Sequence, residues 1–151
     1  MRLSVRRATP ADAATVVEFN RRLAWESEGK TLDLEVLSRG VAAALADPHK
    51  ALYFLAEGGG ELLGQTMITT EWSDWRNGWV WWVQSVYVRE GARRRGVFRA
   101  LFEHIHRAAR DSGVVALRLY VERENRAAQE TYQRMGMEWT SYLVLEKYPL
   151  A

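Results

Sequence analysis

The chain has 151 residues, with 21 Lys and Arg against 19 Asp and Glu, a net charge of +2, and no cysteine. That length suits one domain able to bury a core without covalent staples. The missing cysteine excludes disulfides, zinc–thiolate sites, iron–sulfur clusters and cysteine nucleophiles. No apolar run approaches the roughly 20 residues that span a bilayer. Arg2, Arg6 and Arg7 crowd the start where a signal peptide would have its apolar core, so the chain reads as cytoplasmic.

Leu3 to Ala8 alternates apolar and polar side chains and reads as a strand. Thr9-Pro10-Ala11-Asp12 is a helix start, with Thr as cap and Pro in the first turn. The helix is expected to reach about Trp25, with Val16, Phe19, Asn20 and Leu23 facing inward, and polar Glu26 to Lys30 then closes it at Gly29. Asp33 caps a second helix that presents Leu34, Leu37, Val41, Ala44 and Leu45 on one side and stops at Asp47-Pro48. Leu52 to Ala56 and Leu62 to Trp72 read as a hairpin around Gly58-Gly59-Gly60. Asn77-Gly78 marks the next turn. Trp79 to Val88 lacks clean alternation, as expected of a central strand covered on both faces.

Gly96 to Asp111 carries Val97, Ala100, Leu101, His104, Ile105 and Ala108 at helical spacing, widened by Phe98 and Phe102, and Gly113 ends it. Val114 to Val121 is the next strand, Asn125 to Met135 a helix closed by Gly136, and Trp139 to Lys147 a last strand region. Strands and helices mix from end to end. The fold class is therefore α/β or α+β, one domain over residues 1–151 with a single mixed sheet.

The charge is unevenly placed. Between Arg89 and Asp111 seven Arg stand against three acids. From Gln84 to Leu101 a buried strand leads through Arg93-Arg94-Arg95-Gly96 into a helix. A helix N-terminus offers amide donors and partial positive charge, and a Gly there admits a phosphate close to the backbone. Chemically this is a pyrophosphate cradle; taken alone, it fits a solvated basic turn equally well. It is neither a P-loop, which needs Gly-Lys-Ser/Thr, nor a dinucleotide fingerprint, which needs three spaced glycines. Downstream, Asn125 can cap a helix, Tyr132 packs one turn after Ala128, and Gly136 stops it.

Taken together, Arg93-x-x-Gly96 after Val86-Tyr87-Val88, and Asn125-x-x-Ala128-x-x-x-Tyr132-x-x-x-Gly136, resemble the two signatures of the GNAT N-acetyltransferase superfamily. Phe98 stands where that family usually has Gly or Ala, Met137 replaces a common Phe, and Gln84 occupies a position that often carries a carboxylate. The resemblance implies a central, mostly antiparallel twisted sheet flanked by about four helices. It implies acetyl transfer from acetyl-coenzyme A to a primary amine in a ternary complex, with no metal. Val86, Tyr87 and Val88 would bind the pantetheine arm and polarise the carbonyl. Arg93, Arg94, Arg95, Gly96, Val97, Phe98 and Arg99 would hold the pyrophosphate. Asn125 would contact the cofactor arm. Tyr132 would protonate the departing thiolate.

The base is open among Glu71, Asp74, Glu26, Glu28 and a water held by Gln84, with Glu71 the residue put forward. His49, His104 and His106 lack metal-ligand company. His104 falls on the apolar stripe and reads as packed. Five of the seven tryptophans lie between Trp72 and Trp82. Trp79 and Trp81 share one strand face and Trp82 takes the other. Trp25, Glu28, Trp72, Trp82 and Gln84 are the candidates for binding the acceptor, a small-molecule or peptide amine, though exposed aromatics would also suit a homodimer surface. Two other functions stand beside this one. A non-catalytic acyl-coenzyme A module would keep the loop and lose the base. A nucleic-acid binder would need more positive charge than +2.

Overall fold

In the computed structural model, which describes residues 2–151, the chain forms two compact units, Met1–Leu119 and Tyr120–Ala151. The first unit holds a five-stranded sheet in the order β1-β2-β3-β4-β5. The strands are β1 (Leu3–Arg7), β2 (Leu52–Gly58), β3 (Glu61–Ser73), β4 (Gly78–Val88) and β5 (Ala116–Leu119). Neighbours from β1 to β4 are antiparallel, and β5 lies parallel to β4. The sheet is therefore mixed and mostly antiparallel, as the alternation of hairpin signals with one strand–helix–strand segment predicts. Gly59 and Gly60 both take positive φ in the β2–β3 turn, the geometry that matches strand twist in a tight hairpin.

Helices α1 (Ala13–Glu28) and α2 (Leu34–Ala46) cover one face of this sheet. There Val16, Phe19, Val41 and Ala44 pack with Tyr53, Leu55 and Tyr87. Helix α3 (Val97–Asp111) covers the other face, where Leu101, Ile105 and Ala109 meet Phe54, Ala56, Ile68, Trp81 and Val83. A Cβ on Gly64 would lie 2.7 Å from the Tyr87 carbonyl and 3.1 Å from Val97 Cγ1, so Gly64 lets the first turn of α3 sit close to the sheet.

Several local expectations shift. Pro10–Asp12 forms a 3-10 turn, and α1 begins only at Ala13. The Thr9 amide donates to Asp12 Oδ2 at 2.7 Å, which fastens that start. At its other end α1 runs through Glu28, past Trp25, because the left-handed cap is Gly29 (φ 64). Glu26 is thus a helical residue. Asp33 caps α2 by accepting from the amides of Glu35 and Val36, but Leu34 is exposed rather than inward. The ring of His104 packs 5.4 Å from that of Phe54, and burial pulls its pKa down, as its place on the stripe predicts.

The second unit contains α4 (Arg126–Arg134). Its cap is Asn125, whose Oδ1 accepts from the Ala128 amide at 3.1 Å, and Gly136 (φ 91) stands just past its end. The strand expected over 139–147 is not formed within this unit. A strand exists only through a ladder partner, and none of these residues offers one to another. No helix among the described residues is long and apolar enough to cross a membrane.

Candidate active site

The site is built on β4 and on the loop that links it to α3. The β3–β4 register runs Thr69↔Trp82 and Ile68↔Val83, then resumes at Met67↔Ser85, Thr66↔Val86, Gln65↔Tyr87 and Gly64↔Val88. Gln84 is the extra residue of this bulge. Its Nε2 donates to Thr69 Oγ1 at 2.8 Å. The parallel ladder of β4 with β5 covers Val80 to Val83 only, so Gln84 to Val88 extend past it. The bulge thus bends β4 where its ladder to β5 ends.

Beyond Val88 the chain makes a short 3-10 turn at Glu90–Ala92 and enters the arginine loop. Arg93 is extended, Arg94 is left-handed (φ 62), and Gly96 is left-handed again (φ 83) as the cap of α3. A non-glycine residue in the left-handed region costs on the order of 1 kcal/mol, so surrounding contacts must hold it there. Left-handed residues next to a helix start turn successive amides to one side, and the helix dipole adds positive potential. Val97 is buried, while the Phe98 ring stacks on Phe102 with centroids 6.4 Å apart. Arg99 pairs with Glu103 one turn on, at 2.8 Å. The seven positions from Arg93 to Arg99 expected to hold a pyrophosphate therefore form one continuous turn at the head of α3.

Val86 and Val88 face α3, and Tyr87 faces α1. Tyr87 packs its ring against Phe19 at 5.4 Å and donates its hydroxyl to Glu26 Oε2 at 2.6 Å. Burial, first, and this acceptor push its phenol up from the ordinary value. The bonds from Tyr87 and Arg93 hold the Glu26 carboxyl below the usual range, which disfavours it as a base.

The acceptor candidates separate. Thr69 and Glu71 alternate on one face of β3, opposite Trp82 and Val80 in register, and Gln84 reaches that same Thr69. Glu71 Oε1 accepts from Trp82 Nε1 at 3.3 Å and lies 3.6 Å from Arg118 Nη1. The Arg118 guanidinium sits 5.8 Å from the Trp82 ring. Glu71, Trp82 and Gln84 thus belong together. Trp72 does not join them. It pairs in register with Trp79 and meets it edge-on at 5.2 Å on the side that Trp81 buries against α3. Trp25 is exposed near the end of α1, and Glu28 pairs with Lys30 at 3.8 Å on the surface. Arg118 went unnoticed in the sequence, although the flanking Leu117 and Leu119 already place it on the other face of β5.

In the second unit, Asn125 spends its Oδ1 on the helix cap. Tyr132 is half-buried on α4, and burial pushes its phenol above the ordinary value.

A family model described as the acetyltransferase (GNAT) family matches residues 17–137. A possible acetyltransferase from Clostridium difficile 630 superposes with a TM-score of 0.93 at 41% identity, covering all of both chains. A mycothiol acetyltransferase of Corynebacterium aurimucosum is 31% identical over 128 residues, 83% of this chain and 42% of that protein, so the chain spans about two fifths of that relative. A ribosomal-protein-alanine N-acetyltransferase from Brucella melitensis shares the fold, with a TM-score of 0.76 at 17% identity over 97% of this chain and all of the other. With more than half of its length matched by the family model and the same fold in acetyltransferases, the chain belongs to the GNAT family of acetyltransferases.

Proposed function

We propose that the chain moves an acetyl group from acetyl-coenzyme A to a primary amine, both bound at once, with Tyr132 as the general acid. The carrying observation is the loop from Arg93 to Arg99: two left-handed residues and a cluster of arginines at the head of α3, directly after a bulged strand. These residues fit a pyrophosphate by charge and by the direction of the helix dipole. The edge of Gln84 to Val88, past the β5 ladder, fits an extended arm that hydrogen-bonds to main chain, as an added strand does. Asn125 is proposed to contact that arm while its Oδ1 caps α4.

In the reaction the amine nitrogen attacks the thioester carbonyl, the carbon–sulfur bond breaks, and the sulfur leaves as thiolate. The main-chain amides at Val86 and Val88 are assigned the developing charge on the carbonyl oxygen. Tyr132 is assigned the proton that the thiolate takes; a phenol is protonated at neutral pH, and burial moves this one further in the same direction. Glu71, sharing a face with Trp82 and Gln84, is assigned the amine proton through water. Trp82 and Glu71 border this acceptor site with Arg118 against both, so a cationic acceptor would have to share the Trp82 ring and the Glu71 carboxylate with that guanidinium. Trp72, on the other side of the sheet, is left out of the acceptor site. The names of two of these relatives differ in acceptor, mycothiol in one and a ribosomal protein's alanine in the other. The acceptor is therefore assigned to residues outside the loop.

Calorimetric titration with acetyl-coenzyme A tests the loop. Micromolar binding, about −8 kcal/mol, is expected, and no binding by folded protein overturns the assignment. Tyr132→Phe is expected to lower kcat about a hundredfold with little change in acetyl-coenzyme A affinity. Turnover unchanged by that substitution removes Tyr132 from the mechanism.

A further inference from the structure

Arg93 opens the proposed pyrophosphate loop, yet its side chain is engaged with protein. Its Nε donates to the Val88 carbonyl at 3.0 Å, and its Nη2 donates to Glu26 Oε1. Its guanidinium lies 5.8 Å from the Tyr87 ring centroid. The other Glu26 oxygen accepts the Tyr87 hydroxyl at 2.6 Å. Both oxygens of one carboxylate thus bind residues of the β4–α3 segment, 61 and 67 positions away in sequence.

The position of that carboxylate is informative. Glu26 stands in the last turn of α1, which ends at Glu28. An acid at a helix C-terminus faces the negative end of the dipole and is disfavoured there. The two bonds across to β4 and its loop compensate it. They also join α1 to the loop at the residue immediately before the left-handed Arg94.

We propose that Glu26 is a positioning residue for the cofactor loop, holding Arg93 as a strut that fixes the course of Arg94 to Gly96. Arg93 then serves the phosphates by shaping the loop, and phosphate contact falls to the loop amides and the arginines after it. This rests on the assignment of the loop to acetyl-coenzyme A made above. The competing arrangement has Arg93 as a direct phosphate ligand that Glu26 restrains. The two differ in sign: removing Glu26 loosens the loop in the first and releases a ligand in the second.

Coenzyme A is titrated calorimetrically into the full chain, wild type, Glu26→Ala, Arg93→Gln and the double variant, at two salt concentrations. A strut predicts that Glu26→Ala weakens binding about five- to tenfold, and that the double variant is no weaker than the worse single one, since the two residues act as a unit. The salt dependence of Kd stays that of wild type in both single variants, because no phosphate contact is lost. In turnover, KM for acetyl-coenzyme A rises while kcat at saturation holds. Tyr87→Phe keeps the buried ring, removes only the donated hydroxyl, and is expected to weaken binding about twofold in the same direction, which keeps the test open should Glu26→Ala fail to fold. Tighter or unchanged binding by folded Glu26→Ala, additive losses, or a flattened salt dependence in Arg93→Gln each overturn the strut. Failure of the wild type to bind coenzyme A instead overturns the loop assignment itself, and the strut with it.

Discussion

The two faces of the sheet do different work. The α3 face is mostly apolar: Ile68, Trp81 and Val83 meet Ile105 and Ala109, with the half-buried His104 against Phe54 its titratable group. The α1 face mixes its core with polar groups. Tyr53, Tyr87 and Met67 lie there, and Gln65, which alternates with Met67 along β3, is fully buried with neither amide atom hydrogen-bonded. The Glu26–Tyr87–Arg93 bonds and the Glu71–Trp82 contact belong to this same face. One face thus supplies the adhesion that lets the other carry groups that cost stability.

Substitutions can break or sharpen that contrast. The largest effect is expected from Ile105→Ala, which empties a fully buried site on the α3 face and should cost about 3 kcal/mol, seen as a Tm drop of roughly 10 °C. A drop no larger than that of a surface substitution would mean that this face is not the adhesive one.

At the edge of the α1 face, Arg6 bridges Asp12 at 2.8 Å and Glu57 at 2.7 Å. The hydrogen bonds from Arg6, first, hold the Asp12 carboxyl down at about 2. A depressed carboxylate contributes stability that is fully present above its unfolded value, near 4, and is lost as pH falls toward 2. Asp12→Asn should therefore cost about 1–2 kcal/mol at pH 7 and flatten the stability profile between pH 4 and pH 2, as read by urea unfolding across that range. An unaltered profile would remove this pair from the stability of that edge.

The smallest and most pointed effect has the opposite sign. Gln65→Met keeps the shape and removes two unpaired polar atoms, so it should raise stability by about 1 kcal/mol. A loss of stability would mean that a buried water satisfies the amide, and the α1 face would then hold a hydrated seam.

Much of this was legible in the sequence because the signals are local. Asp33, Gly29, Asn125 and Gly136 announce helix ends by their own hydrogen bonds or their own φ. The Arg-rich turn and the Asn–Tyr motif state the family through fixed spacing along single elements. The illegible part depends on register. The bulge at Gln84 decides that Val86 and Val88 turn to α3 and Tyr87 to α1, whereas unbroken alternation from Trp81 and Val83 would put Tyr87 on the α3 face, and counting along one strand cannot reveal where its partner skips a residue. Glu26 looked like part of a polar helix end until α1 continued to Glu28 and carried it to Tyr87.

The sequence by itself determined most of the elements, the two motifs and the family, since caps, turn glycines and helical periods act over a few residues. Only the tertiary structure decided that Tyr87 turns to α1, that Glu71 lies against Arg118, and that Arg93 is tied to Glu26, because each joins residues far apart in the chain through a strand register or a helix length that no short stretch encodes.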